Sequence, residues 1–206
     1  MARPRTAKQR EGNEIEFSRI VAFSDGVFAI AITLLVLNLQ IPGRLPHDEL
    51  GQALWDQREN LIAFAISFAV IGRFWVVHHR FFAEVTAFDG RLLGLNLLYL
   101  AAIVLIPFSS QVLGDYGGTT TAVVLYAVNL AAVVLIGLLM AVDARRAGLT
   151  EVSSRAHEER RARSAYIAGV FLLSIPLALV APSVAPFLWL VLFLDPAGAL
   201  FNRVAR

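Results

Sequence analysis

The sequence predicts an all-α fold: a polytopic membrane protein with six transmembrane helices in one domain. Two observations set the class. The chain of 206 residues is 57% hydrophobic with a mean hydropathy of +0.65, against about 45–50% apolar residues in soluble domains. The excess is gathered into long runs, each close to the about 20 residues a helix needs to cross about 30 Å of hydrocarbon. A third observation gives the orientation: the arginines cluster in alternate connections between those runs.

Residues 1–18 are basic and polar. The run that follows is too long for a signal-peptide core and has no small-residue cleavage site, so about 19–40 reads as a retained span. Clear spans follow at about 60–82, 92–113 and 119–143. The fifth, 164–181, contains Pro176, and the sixth, 184–202, contains Asp195 and Pro196. Proline is tolerated in a membrane helix when neighbours satisfy the freed carbonyl. Stopping at Leu194 would leave the sixth run too short, so it is expected to continue, kinked, to about Asn202. The connections are short except for 41–58 and 144–163. Within the latter, residues 150–163 (TEVSSRAHEERRAR) read as a solvated, charged helix start. There is no soluble domain and no clear internal repeat.

Sixteen of the 18 Lys and Arg residues fall on one side of this topology. Arg3, Arg5, Lys8, Arg10 and Arg19 lie at the N-terminal end, and Arg73, Arg80 and Arg91 flank the second connection. Six arginines from Arg145 to Arg163 fill the fourth, Arg203 and Arg206 end the chain, and only Arg44 and Arg58 lie opposite. Basic residues favour the cytoplasmic side, so both termini are expected inside, which requires an even number of spans. The expected location is the cell membrane, and the arginine bias fits a bacterial inner membrane. Because the basic residues track the membrane face, nucleic acid is not an expected partner; lipid is. With zero cysteines, disulfides, thiol-attached haem and cysteine metal sites are excluded, and no cofactor is expected.

Residues 19–38, RIVAFSDGVFAIAITLLVLN, are the most informative stretch. A charge at the centre of a membrane helix costs about 2.5–3.5 kcal/mol on insertion scales, so Asp25 needs a partner or a task. At about 1.5 Å per residue, Asp25 lies about 9 Å deep from the inner end. Arg73, Trp75, His78 and His79 occupy the inner end of the second span, and Asn96 the first turns of the third. Ser24, Asp25, His78 or His79, and Asn96 therefore share one layer, read as a polar cluster locking the first three spans together. Arg73, Arg80 and His79 could equally snorkel to the interface; the short Asp25 cannot reach far.

At about 100° per residue, Ile30, Thr33, Leu34 and Leu37 fall on one stripe about 100° wide, with Asp25 about 140° away from Ile30. Ile30 lies about 16 Å in and Thr33 about 21 Å, near mid-membrane. Such a stripe suits a pore lining: apolar rings gate by dewetting and hydroxyl oxygens contact a dehydrating cation. Helix packing or lipid contact would produce the same spacing of Ile and Leu.

Arg19, Phe23, Ser24 and Asp25 form an Arg-x-x-x-Phe-Ser-Asp motif that resembles the signature of the transmembrane protein 175 family of potassium channels. The following GVFAIAITLLVL is similar to that family's first span, as are Trp75-x-x-His78-His79, Asn96-Leu97-Leu98 and Pro107-Phe108. The resemblance covers about residues 19–110; beyond it, only the presence of three more spans matches. It implies a homotetramer around a central pore lined by the first helix, with potassium as the permeant ion near Ile30 and Thr33. It further implies that Ile30, Leu34 and Leu37 are the apolar constriction and that Thr33 bears on potassium selectivity. The chain lacks a Thr-Val-Gly-Tyr-Gly filter and an arginine-repeat voltage sensor, so moderate selectivity and little voltage dependence are expected. Arg19 and Phe23 also fall near the pore stripe. A ring of arginines would repel cations, so Arg19 is expected to swing toward an acid or a lipid headgroup, or the helix to bend near Gly26.

Two other functions fit parts of the pattern. A proton-conducting or proton-coupled transporter could use Asp25 and the histidines, although the first span shows no Gly/Pro break of the transporter kind. A metal-dependent intramembrane enzyme using His78 and His79 is disfavoured, since adjacent positions point about 100° apart on a helix. No enzyme activity is expected.

Overall fold

The computed structural model describes residues 7–41, 43, 46, 48–150, 154–182, 184, 185, 188 and 189. Apart from one isolated bridge between Val85 and Thr150, the regular structure among them is helical. In order the helices are α1 (Ala7–Leu34), α2 (Leu50–Asp56), α3 (Arg58–Phe82), α4 (Gly90–Val104), α5 (Ile106–Tyr116), α6 (Thr120–Arg146) and α7 (Ser154–Val180). A 3₁₀ turn, Leu35–Asn38, continues α1. Among the described residues four stretches are long and apolar enough to cross a membrane: Ile15–Asn38, Arg58–Phe82, Gly90–Tyr116 and Thr120–Arg146. Almost all of the expected sixth span, with Asp195 and Pro196, lies outside the described residues.

Local chemistry sets the helix ends. Asp89 is extended and accepts the Leu92 amide at 2.7 Å, capping α4, and Thr119 does the same for α6 through Ala122. Helix α6 ends on Gly148 at φ 68°. There Leu149 donates to the Ala144 carbonyl at 2.8 Å and Gly148 to the Arg145 carbonyl at 3.1 Å, the paired bonds of a left-handed glycine C-cap. The exiting segment then receives the Thr86 amide on the Leu149 carbonyl at 2.8 Å. The connection between α3 and α4 is thereby tied to the connection after α6. The same end is closed by Arg91, whose Nε lies 2.9 Å from Asp143 Oδ1.

The expected single helix at 92–113 is broken at Leu105 into α4 and α5. Pro107, in the first turn of α5, has no amide to give the Ile103 carbonyl and its ring crowds that turn, so the α ladder cannot pass through.

Helix α6 is the centre of the bundle. Val123, Tyr126, Ala127, Leu130 and Val133 are fully buried, and α6 packs against α4, α5 and α7. Lipid tails are as apolar as leucine, so membrane helices associate through close packing and polar contacts. Both are present. Ser67 donates to Ser110 at 2.8 Å, and Tyr126 OH, 2.9 Å from Ser67 Oγ, donates to it because the Ser67 proton is already used. Asn129 donates to Ser109 at 3.0 Å. These bonds join α3, α5 and α6. At Gly114 an added Cβ would collide with the Asn60 side chain of α3. Gly114→Leu is expected to cost about 1–3 kcal/mol by overpacking, read as a lower melting temperature of the purified protein in detergent. An unchanged melting temperature would contradict this close approach of α3 and α5.

Candidate functional site: a polar layer and an uncovered helix face

Helix α1 is the least covered of the spans: 22% of its most apolar window is buried, against 50% in Gly90–Tyr116. Its buried positions are Ser24, Phe28, Ala31 and Leu35, spaced four, three and four apart. That is one helical stripe, and it packs on α3, α4 and α5.

Ser24 and Asp25 hold this stripe through two different helices. Asn96, on α4, is fully buried and donates through Nδ2 to Ser24 Oγ at 3.0 Å. Its Oδ1 lies 2.9 Å from His78 Nε2 on α3. An amide oxygen only accepts, so with Asn96 so oriented His78 carries its proton on Nε2. The Ser24 hydroxyl donates to the Ile20 carbonyl at 2.9 Å. Asp25 instead accepts from Trp75 Nε1 at 2.9 Å. His78 is enclosed by Phe28, Phe82 and Tyr99, with ring centroids 4.5–5.4 Å away.

The structure separates the two histidines. His78 enters the layer, while His79 is exposed and stacks on Trp75 at 5.5 Å. They do not converge on a common point, as two ligands of one metal would. Arg19 is exposed and, among the described residues, makes no ion pair; α1 runs as one helix through Gly26. Of the outcomes expected for Arg19, no acid pairs with it among the described residues, and the helix is uninterrupted at Gly26. Arg19 and Phe23 share the exposed face with Ala22, Gly26, Ala29, Ile30, Thr33, Leu34 and Leu37.

On that face Ile30 is 60% exposed and Leu37 62%. The Thr33 hydroxyl donates to the Ile30 carbonyl at 2.8 Å, which leaves the oxygen's lone pairs free to face outward. A hydroxyl held this way presents an acceptor, as a cation would need. The 3₁₀ turn shapes the far end of the face. In that winding residues three apart eclipse, so Asn38 follows Leu35 toward the core. There Asn38 Nδ2 donates to the Pro107 carbonyl at 3.1 Å.

Sequence reasoning missed this bond, the Ser67–Ser110–Tyr126 cluster and the Arg91–Asp143 pair. Matching Ser67, Ser109, Ser110 and Asn129 by depth, as for Asp25, would have suggested the second. Nothing local marks the bond of Asn38 to Pro107.

Residues 19–107 match the family described as the endosomal/lysosomal potassium channel TMEM175. A potassium channel of Streptomyces collinus is 44% identical over 101 residues, 49% of this chain and 49% of that protein. The endosomal/lysosomal proton channel TMEM175 of Gallus gallus is 40% identical over 107 residues, 48% of this chain and 21% of that protein. The matched stretch thus spans about half of the bacterial relative and about a fifth of the animal one. Among solved structures, the crystal structure of a lysosomal potassium-selective channel TMEM175 homolog from Chamaesiphon minutus aligns with a TM-score of 0.75 and 27% identity. That alignment covers 93% of this chain and 98% of the other. The family suggested by the Arg19-to-Asp25 motif is the one these matches carry.

Proposed function

We propose that this chain, whose residues 19–107 are those of the TMEM175 family, forms a passive, moderately potassium-selective channel in a bacterial inner membrane. It assembles as a homotetramer of six-span subunits, with both termini in the cytoplasm and the first helix of each copy lining a central pore. The single observation that carries this reading is the uncovered face of α1. Its own subunit buries one side of the helix and leaves Ile30, Thr33, Leu34 and Leu37 open.

Ile30, Leu34 and Leu37 form apolar rings whose low affinity for water sets the barrier to ions. Thr33 offers a ring of hydroxyl oxygens beside the Ile30 ring, where a potassium ion sheds water. The layer of Ser24, Asp25, Trp75, His78 and Asn96 holds the helix against α3 and α4 while the pore face stays free. Asp25 meets Trp75 and not the ion. No cofactor, catalytic step or nucleic acid enters this mechanism; lipid and further copies of the chain are the partners.

Purified protein in liposomes is expected to pass potassium several times faster than sodium. Equal rates would remove selectivity from the reading, and no flux would remove conduction. Thr33→Val keeps shape and removes the hydroxyl; it is expected to reduce the potassium preference severalfold while current persists, read as a shifted reversal potential under mixed potassium and sodium.

A second reading is favoured by the continuous polar layer from Ser24 through Asn96 to His78, with Asp25 alongside, and by the name of the animal relative. In it the chain conducts protons. A reversal potential that follows the proton gradient and is lost in Asp25→Asn would select it; a reversal potential that tracks potassium at every pH would select the first.

A further inference from the structure

We infer that the connection between α3 and α4, residues 83–89, is a strap that positions the inner end of the pore helix from α6, with Arg91 as its fastening and Phe88 as the ring that carries the hold. The inference rests on the pore reading of α1. One end of the strap is fixed to the C-terminal end of α6. The Leu149 carbonyl takes the Thr86 amide at 2.8 Å and the Thr86 hydroxyl at 3.2 Å, and Val85 bridges Thr150 beside it. Arg91, in the first turn of α4, meets Asp143 Oδ1 at 2.9 Å. Asp143 is buried, and its Oδ2 has no hydrogen-bond partner among the described residues. The carboxylate therefore depends on Arg91 for compensation.

The other end of the strap meets α1. Phe88 lies flat on Phe82, with ring centroids 5.4 Å apart and planes at 5°. Phe17 meets both rings edge to face, at 5.6 Å from Phe88 and 6.4 Å from Phe82. Phe17 precedes Ser24 by seven residues, so it lies two turns inward on the buried stripe of α1. Phe82 also touches His78 of the polar layer, at 4.5 Å. Arg19 is two residues from Phe17 and so about 160° round the helix, on the pore line. The seat behind α1 at Phe17 therefore governs how far Arg19 stands from the pore axis in front. When the strap is unfastened, Phe88 leaves the seat and the inner end of α1 tips forward. Four guanidinium groups then crowd the mouth and repel cations. Arg91 and Phe88 are positioning residues and never meet the ion.

The test is to unfasten the strap and refasten it covalently in the full-length reconstituted protein. Opposed residues of an antiparallel bridge lie about 4.5–5.5 Å apart at Cα, within the span of a disulfide. The chain has no cysteine, so Val85→Cys with Thr150→Cys adds one pair of thiols and no other. The readout is single-channel potassium conductance, which a loss of folded protein does not change. Arg91→Ala is expected to lower it about threefold in 0.1 M KCl, where charges act over about 10 Å, and hardly at all in 1 M KCl, where they act over about 3 Å. Oxidising the thiol pair in the Arg91→Ala protein should restore the conductance, and dithiothreitol should abolish the recovery. Phe88→Ala should show the same loss, and the disulfide should not restore it, because the ring that meets Phe17 is gone. Unchanged conductance in Arg91→Ala, an equal loss at both salt concentrations, thiols that do not pair, or a disulfide that rescues Phe88→Ala as well overturns the strap. If Ile30→Asn raises conductance and Arg91→Ala leaves it unchanged, the pore reading stands and the strap falls. If the protein passes no potassium, both fall. Should Arg91→Ala or Phe88→Ala fail to fold, Arg91→Gln and Phe88→Leu carry the same expectations.

Discussion

Replacing Ile30 by asparagine is expected to raise the potassium conductance of the reconstituted protein about tenfold or more. Ile30 is 60% exposed on the open face of α1, and its carbonyl takes the Thr33 hydroxyl. In a fourfold assembly four such side chains form an apolar ring next to the Thr33 oxygens. Ions cross such a ring only when water fills it, and a polar lining removes the dewetting barrier. A tenfold change in rate corresponds to about 1.4 kcal/mol of barrier, a small demand on four substitutions made at once by symmetry. The measurement is potassium flux or single-channel current at matched protein density. An unchanged current would place the constriction away from Ile30, and Leu34→Asn and Leu37→Asn would then locate it along the same face. A lost current with the oligomer intact would contradict a hydrophobic barrier altogether.

Asn96→Leu is expected to cost about 2–3 kcal/mol of stability, the largest penalty of any single change in the polar layer. Hydrogen bonds between membrane helices average only about 0.6 kcal/mol; by that measure the loss of two would be modest. Most of the cost comes from the group left behind. His78 Nε2–H loses its acceptor inside an enclosure of Phe28, Phe82 and Tyr99, and a buried unpaired donor costs about 1–3 kcal/mol. The two contributions are separable. His78→Phe fits the aromatic surroundings and has no proton to strand, so Asn96→Leu should cost markedly less in that background. Thermal unfolding in detergent of the two single variants and the double variant gives the coupling. Strictly additive losses would mean that Asn96 and His78 do not act as a unit. Ser24→Ala should cost less than Asn96→Leu, since Asn96 Nδ2 would lose one acceptor while Asn96 and His78 remain joined.

These two sites differ in how far the sequence revealed them. Ile30 was legible because one helix fixes its own faces: with the period near 3.6, Asp25 and Ile30 must point apart whatever surrounds them. The packing obeys this, burying Ser24, Phe28, Ala31 and Leu35 and leaving Ile30 out. Asn96 was legible only as a depth. Rise per residue put it level with Ser24 and with both histidines, but could not say which histidine it meets. That choice depends on how α3 is rotated against α4. His79 is one residue on and about 100° round the helix, which carries it out to Trp75.

The sequence alone pointed to the membrane class, the long apolar spans and the open face of the first helix, and through Arg19, Phe23, Ser24 and Asp25 to the family that residues 19–107 match. Each follows from composition, period or local spacing within a single segment. Tertiary structure decided which histidine joins Asn96, where the helix beginning at Gly90 breaks, and how α1 ends. The 3₁₀ turn at Leu35–Asn38 is joined through Asn38 to the carbonyl of Pro107, 69 residues along the chain. That contact exists only once α1 and α5 lie side by side. Of the residues that first marked the chain, Ser24 and Asp25 bond to neighbouring helices, and a bond between distant segments ties down the far end of α1.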